Sequence, residues 1–233
     1  MSSEYPVPLQ SYGDAEIEVS QTTASVVYQK LRQDILRGLL KPGERLRVNE
    51  VAQRYGCGAI PTREALSRLS AEALVLYMEQ RGFAVAPISM DSLADLTHAR
   101  VWTAQAAMRE AVLKGDAQWE ERVLLSYHRL SKVSRYESVD PPVANPAFDQ
   151  PHREFHLQLF SGCGSHWMVD TCMRLFDHAE RYRSLSRQVA VMPREDEHRQ
   201  ILDAVLQRRV DDAVSLISEH FRLTAKIVGD PGK

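Results

Sequence analysis

Apolar positions recur at Val27, Leu31 and Ile35, four residues apart, which is the period of one helical face. Thr22 or Thr23 can cap such a helix and Gly38 can end it, predicting helix over about 24–37. Lys41-Pro42-Gly43 is a turn by composition. From Asn49 a second inward face follows at Val51, Ala52 and Tyr55, with Asn49 as its expected cap, and Gly56-Cys57-Gly58 breaks it. Pro61 suits the first turn of the next helix. That helix buries Ala65, Leu66 and Leu69 and is expected to show Thr62, Arg63, Ser67 and Arg68 outward. Val75 to Met78 and Phe83 to Ala86 then pair around Gln80-Arg81-Gly82.

After Asp91 the period is helical throughout. Helices are expected over about 91–114, 117–136, 149–160, 165–186, 193–208 and 211–228. Gly115 ends the first, and Asp116, Ser165 and the pair Asp211-Asp212 open later ones. A proline-rich loop, YESVDPPVANPAFDQP, separates the second from the third. Six helices with short links predict an antiparallel bundle with no second sheet. Residues 1–20 are acidic, carry two prolines and show no period, which predicts a flexible tail. The fold class is therefore mainly α. A flexible tail (1–23) precedes a winged helix-turn-helix (24–88), and an all-helical domain (89–230) follows, with the boundary at Pro87 to Asp91.

Charge sharpens this division. The chain is −2 overall, but residues 24–88 carry ten Lys or Arg against six Asp or Glu, while residues 1–23 carry four acids and no base. Positive charge gathers on the part whose helix can enter a major groove and whose wing can reach the backbone, where phosphate contacts require it. Three cysteines, Cys57, Cys163 and Cys172, lack metal-type spacing and fit a reducing cytoplasm. No run of about 18 apolar residues exists to span a membrane.

Within 24–88, the segments VYQKLRQDILRGLLKPGERL, PTREALSRLSAEALV and QRGFAV resemble the reading head of GntR-family bacterial transcription factors. The resemblance implies operator DNA as partner, with Thr62, Arg63, Ser67 and Arg68 on the recognition helix and Arg81-Gly82 at the wing tip. Many relatives place Ser-Arg-Thr before the Pro-x-Arg-Glu-Ala segment, whereas Gly58-Ala59-Ile60 stands here. Ala59 cannot make the guanine contact that an arginine there would make, so the operator is expected to differ.

HREFH sets His152 and His156 on one helical face, about 5–6 Å apart at Cβ, close enough to share a metal. His198 and His220 lie on later helices that a bundle can bring to the same point. Spacing alone does not separate such a set from chance placement among eight histidines; His98, His128, His166 and His178 read as surface or core. Residues of about 92–228 resemble the FCD ligand-binding domain of the FadR branch. Many such domains hold a metal with one Asp in a D-x-x-F-H pattern and three His. His156, His198 and His220 match, and His152 stands where the Asp would be. The resemblance implies a divalent ion, zinc foremost, with nickel or another transition metal as alternatives. With four neutral ligands the site keeps about +2, which favours an anionic effector. Arg100 matches an arginine that often faces the effector, and it can grip a carboxylate.

Arg181 and Arg183 are weaker candidates for the effector and read first as structural or solvated, and Trp102 and Trp167 as core or pocket wall. QRGFAVAP, HRLS, CGSHWM and ERYRSLS resemble the carbon-starvation regulators of glutarate and aminobutyrate catabolism, which points to a dicarboxylate or hydroxy acid. The resulting expectation is a cytoplasmic, homodimeric repressor that a small carboxylate releases from its operator; it is not an enzyme. Two alternatives remain: a metal hydrolase tethered to DNA, and a regulator whose metal is purely structural. Against the hydrolase, Glu154 points off the histidine face, and Glu195 and Glu197 beside His198 read equally as helix N-terminal charges.

Overall fold

A computed structural model describes residues 22–139, 142–186 and 196–229. The expected tail falls outside the described residues except for its last two positions, as does Glu195. The N-terminal part is built from α1 (Thr23–Leu36), β1 (Arg45–Leu46), α2 (Val48–Tyr55), α3 (Ala59–Ala71), β2 (Val75–Met78) and β3 (Gly82–Val85). Thr22 caps α1 by accepting from the Ser25 amide at 3.2 Å. Asn49 does not cap α2: it lies inside the helix, whose cap position is Arg47 with no side-chain bond. The reason is that Leu46, drawn into the core by strand pairing, forces the chain to turn earlier. β1 joins the expected hairpin as a third strand, in the order β1-β3-β2, with Leu46 opposite Phe83. Val27, Leu31, Ile35, Leu66, Leu69, Val75 and Phe83 form one core, each side chain contributing about 1.5–3 kcal/mol through burial.

The C-terminal part comprises α4 (Met90–Lys114), α5 (Ala117–Ser131), a hairpin β4 (Tyr136–Val139) and β5 (Pro142–Ala144), α6 (Asp149–Ser161), α7 (His166–Ser186), α8 (Asp196–Leu206) and α9 (Val210–Gly229). Asp116 and Ser165 cap as expected, accepting from the amides of Trp119 and Met168 at 2.7 and 3.3 Å. The β4–β5 hairpin corrects the expectation of no second sheet; α5 stops at Ser131, and the Pro-rich segment folds back on itself so that its start, β4, pairs with β5. α4 packs on α9 and α7 through a face rich in small residues, Ala104, Ala107 and Ala111, which lets the helices approach closely. Trp119 is the buried tryptophan, with its indole N–H donating to Gln158 O at 2.8 Å. A Cβ on Gly115 or Gly162 would stand 2.1 or 2.7 Å from its ring, so both positions must be glycine. Trp102 and Trp167 are not core: they are 71% and 75% exposed, because α4 and α7 bury their opposite faces.

The two parts meet along α1 and α7. Arg32 of α1 pairs with both Glu72 and Asp177, His178 contacts Glu72 O at 2.9 Å, and Arg181 donates to Ala86 O. A cleft of about 620 Å³ lies beside this contact, lined in part by Tyr28, Arg32, Arg153, Phe176, Asp177 and Glu180.

Candidate metal centre and recognition helix

The inward face of α6 carries His152, Phe155, His156, Leu159 and Phe160. α8 brings His198 and α9 brings His220 to the same interior point. Each of the four histidines is at most 6% exposed, and their ligand atoms all lie within 4.8 Å of one another. His152 Nε2 is 3.1 Å from His198 Nε2 and 3.2 Å from His156 Nε2. Nitrogens on a tetrahedral zinc, at about 2.0–2.1 Å from the ion, would stand roughly 3.3 Å apart. His156 Nδ1 is buried with no hydrogen-bond partner among the described residues. Burial above all holds His152, His156 and His198 well below the ordinary histidine pKa of 6.5, with Arg183 the next cause at His152 and His220 at the other two. These three are therefore neutral and present lone pairs. With His220 beside them, the four imidazoles at this spacing fit a borderline transition metal.

Two residues that the sequence ranked low belong to the site. His220 Nδ1 bonds Glu197 Oε2 at 2.8 Å, the carboxylate–histidine arrangement that orients a metal ligand. Glu197 adjoins His198 in sequence, but its partner is on another helix, and no periodicity exposes that. Arg183, expected to be structural or solvated, lies in the site. Its Nη1 is 2.9 Å from His152 Nδ1 and 3.2 Å from His152 Nε2, and its Nε donates to Glu180 Oε1 at 3.0 Å. Arg183 thus competes for His152, whereas His156, His198 and His220 form the better metal set.

Arg100, on α4, is buried, and its guanidinium carbon sits 3.8 Å from the Phe221 ring centre. It also lies 5.8 Å from the Phe176 ring centre, with Glu180 as the attracting charge. Burial first and the Arg183 charge second bring its pKa down to about 9. It remains a cation at neutral pH, and a neighbouring anion would relieve both effects. Glu154 accepts from Gln158 at 2.7 Å, away from the histidines.

In the N-terminal part, α3 turns Ile60, Arg63, Glu64 and Ser67 to solvent, at spacings i, i+3, i+4 and i+7. Thr62 is a correction. It is fully buried, and its hydroxyl donates to Gly58 O at 2.8 Å and lies 3.1 Å from Cys57 Sγ. It points inward because Thr62 shares the face of Ala65, Leu66 and Leu69. Arg68 is exposed but leans back over Tyr28, 4.2 Å from its ring centre, and donates to Ser25 at 3.3 Å. Arg81 is exposed at the wing tip, where Gln80 and Gly82 take φ of 60° and 79°.

A winged helix-turn-helix followed by a helical bundle defines a class of DNA-binding transcriptional regulators, and comparison with known proteins agrees. Residues 23–85 match the model of bacterial regulatory proteins of the gntR family, and residues 95–223 match that of the FCD domain. The chain is 35% identical to the uncharacterized HTH-type transcriptional regulator BphR of Paraburkholderia xenovorans over 94% of this chain and 91% of that one. It is also 35% identical to the HTH-type transcriptional repressor GlaR of Escherichia coli, over 86% and 93%. Among solved structures, Escherichia coli McbR/YncC superposes with a TM-score of 0.73 at 18% identity, over 90% of this chain and 98% of that one. The chain belongs to the GntR family of transcriptional regulators, with an FCD domain behind its DNA-binding head. No helix among the described residues is long and apolar enough to cross a membrane.

Proposed function

We propose that this regulator is a homodimeric, cytoplasmic repressor whose operator affinity falls when a small carboxylate binds beside a metal held by His156, His198, His220 and, in part, His152. The observation that carries the reading is Arg100: a buried cation beside the imidazole cluster, resting on Phe221, its charge disfavoured by burial and by Arg183. Such a cation is stabilised by a ligand carboxylate. Arg183 supplies a second cation against His152, which suits a dicarboxylate or hydroxy acid over a monoanion without further polar groups. When bound, the ion would supply positive charge at the imidazole cluster and a coordination position for an anionic oxygen.

α7 offers the route to the head. Phe176 and Arg183 face the histidines and Glu180 holds Arg183, while Asp177, His178 and Arg181 hold the N-terminal part. An anion that draws Arg183 away from Glu180 favours one arrangement of α7 and hence of the head. It can do so only to the extent that it binds the two arrangements with different affinity.

The test is DNA release. Wild-type protein on an operator duplex is titrated with a panel of small carboxylates, beside Arg100→Ala. Release by a carboxylate in the wild type alone supports the reading. A hit that releases both proteins equally removes Arg100 from the site. If metal-depleted protein melts at lower temperature yet keeps the full response, the metal is structural.

A further inference from the structure

Ile60 is 84% exposed, the most exposed of the large apolar side chains among the described residues. It sits in the first turn of α3, after Gly58 at the cap position, and Ala59 beside it is exposed too. No member of the N-terminal core touches it in a way that buries it, although that core lies one helical face away. An isoleucine has no hydrogen-bonding group, so its exposure is unfavourable in free protein. Its position places it on the stripe Ile60, Arg63, Glu64 and Ser67, the outward face of the recognition helix. Residues near the N-terminus of such a helix are the ones that reach base edges.

We propose that Ile60 is a specificity-determining residue that packs on the C5-methyl of a thymine in the operator's major groove. This rests on the DNA-binding reading of the family. The chemistry selects the base. Guanine and adenine present polar atoms along the major-groove edge and cytosine presents an amino donor, while thymine alone presents a methyl group. An aliphatic side chain therefore gains from thymine and leaves a desolvated polar edge unpaired against the others. Arg63, three residues on, supplies the polar contact next to it, so the tip reads one apolar and one polar feature in succession.

The experiment starts from duplexes selected by the wild-type protein from a randomised library. Each thymine of the selected site is then replaced by uracil, which removes only the methyl. The wild type is expected to lose about fourfold in affinity at one thymine per half-site, the scale of one buried methyl. Ile60→Ala is expected to be indifferent to the same replacement, and its own selected sites to lose the preference for thymine there. A uracil penalty that persists undiminished in Ile60→Ala, or no uracil-sensitive position at all, overturns the proposal. Loss of self-association in Ile60→Ala with unchanged uracil sensitivity would make Ile60 a protein contact instead. Failure of the wild type to enrich any sequence would strike at the DNA-binding reading itself and is distinguishable from these outcomes. Because Ile60 is exposed, an unchanged melting temperature verifies that Ile60→Ala is folded.

Discussion

Arg153 donates to Asp177 through both Nε and Nη2, at 2.9 and 3.2 Å, and so ties α6 to α7 one residue beyond His152. The same carboxylate, only 5% exposed, also receives Arg32 from α1. One side chain thus joins the helix that carries two of the histidines to the helix that carries the head.

Asp177→Asn is expected to loosen that joint. Charge-assisted hydrogen bonds contribute about 1.5–3 kcal/mol each, and here two arginines lose their shared anion. The variant should unfold about 2–3 kcal/mol earlier in urea and should bind carboxylate normally while transmitting less of it to DNA affinity. Unchanged stability together with an unchanged DNA response would remove Asp177 from the coupling.

At the histidine cluster the two α6 positions should behave differently. His156→Ala is expected to abolish metal binding, since His156 is fully buried at the centre of the set. His152→Asp should bind metal more tightly, because a carboxylate brings negative charge to the ion. It should bind an anionic effector more weakly for the same electrostatic reason. Metal content per chain and titration calorimetry of the two variants check this. Equal effector affinity in His152→Asp and the wild type would defeat the charge argument.

Acid should destabilise the metal-free protein. His152, His156 and His198 have folded pKa values pushed below 6.5 by burial, so below pH 6.5 the unfolded chain binds protons that the folded chain does not. Stability is then full above pH 6.5 and declines as pH falls from there toward the folded values. Between pH 7.5 and 5.5 each histidine contributes up to about 1.4 kcal/mol of this decline. Urea midpoints at the two pH values measure it, and saturating metal should reduce the difference. A flat profile in metal-free protein would show that the three rings protonate in the folded state.

In the head, Arg63→Ala is expected to weaken operator binding sharply and relax preference at one position, whereas Arg81→Ala should weaken all sequences alike. Thr62→Ala should instead lower stability by about 1 kcal/mol through the lost bond to Gly58 O and leave sequence preference intact. Competition binding with specific and scrambled duplexes, run beside thermal melts, separates the three. A shifted base preference in Thr62→Ala would return that residue to the interface.

The sequence by itself determined the local structure. Helical periods placed the long helices, Thr22, Asp116 and Ser165 declared their starts, and the four-residue spacing of His152 and His156 put both rings on one face. These features are set by contacts within one or two turns, so neighbours in the chain suffice to specify them. The misread positions are those whose state depends on a distant partner. Asn49 lost its cap role to the pairing of Leu46 with Phe83. Thr62 is the exception: its spacing of three, four and seven residues from Ala65, Leu66 and Leu69 already placed it on the buried face, and only its polar type pointed outward. Trp119, not Trp102 or Trp167, became core because Gly162, from another helix, leaves room for its ring. Arg183 and Glu197 joined the histidines only when α7, α8 and α9 closed around α6. Amphipathic faces state that a helix will be buried; which side chains then meet is decided by packing between helices far apart in sequence, and the charge of this site is decided there.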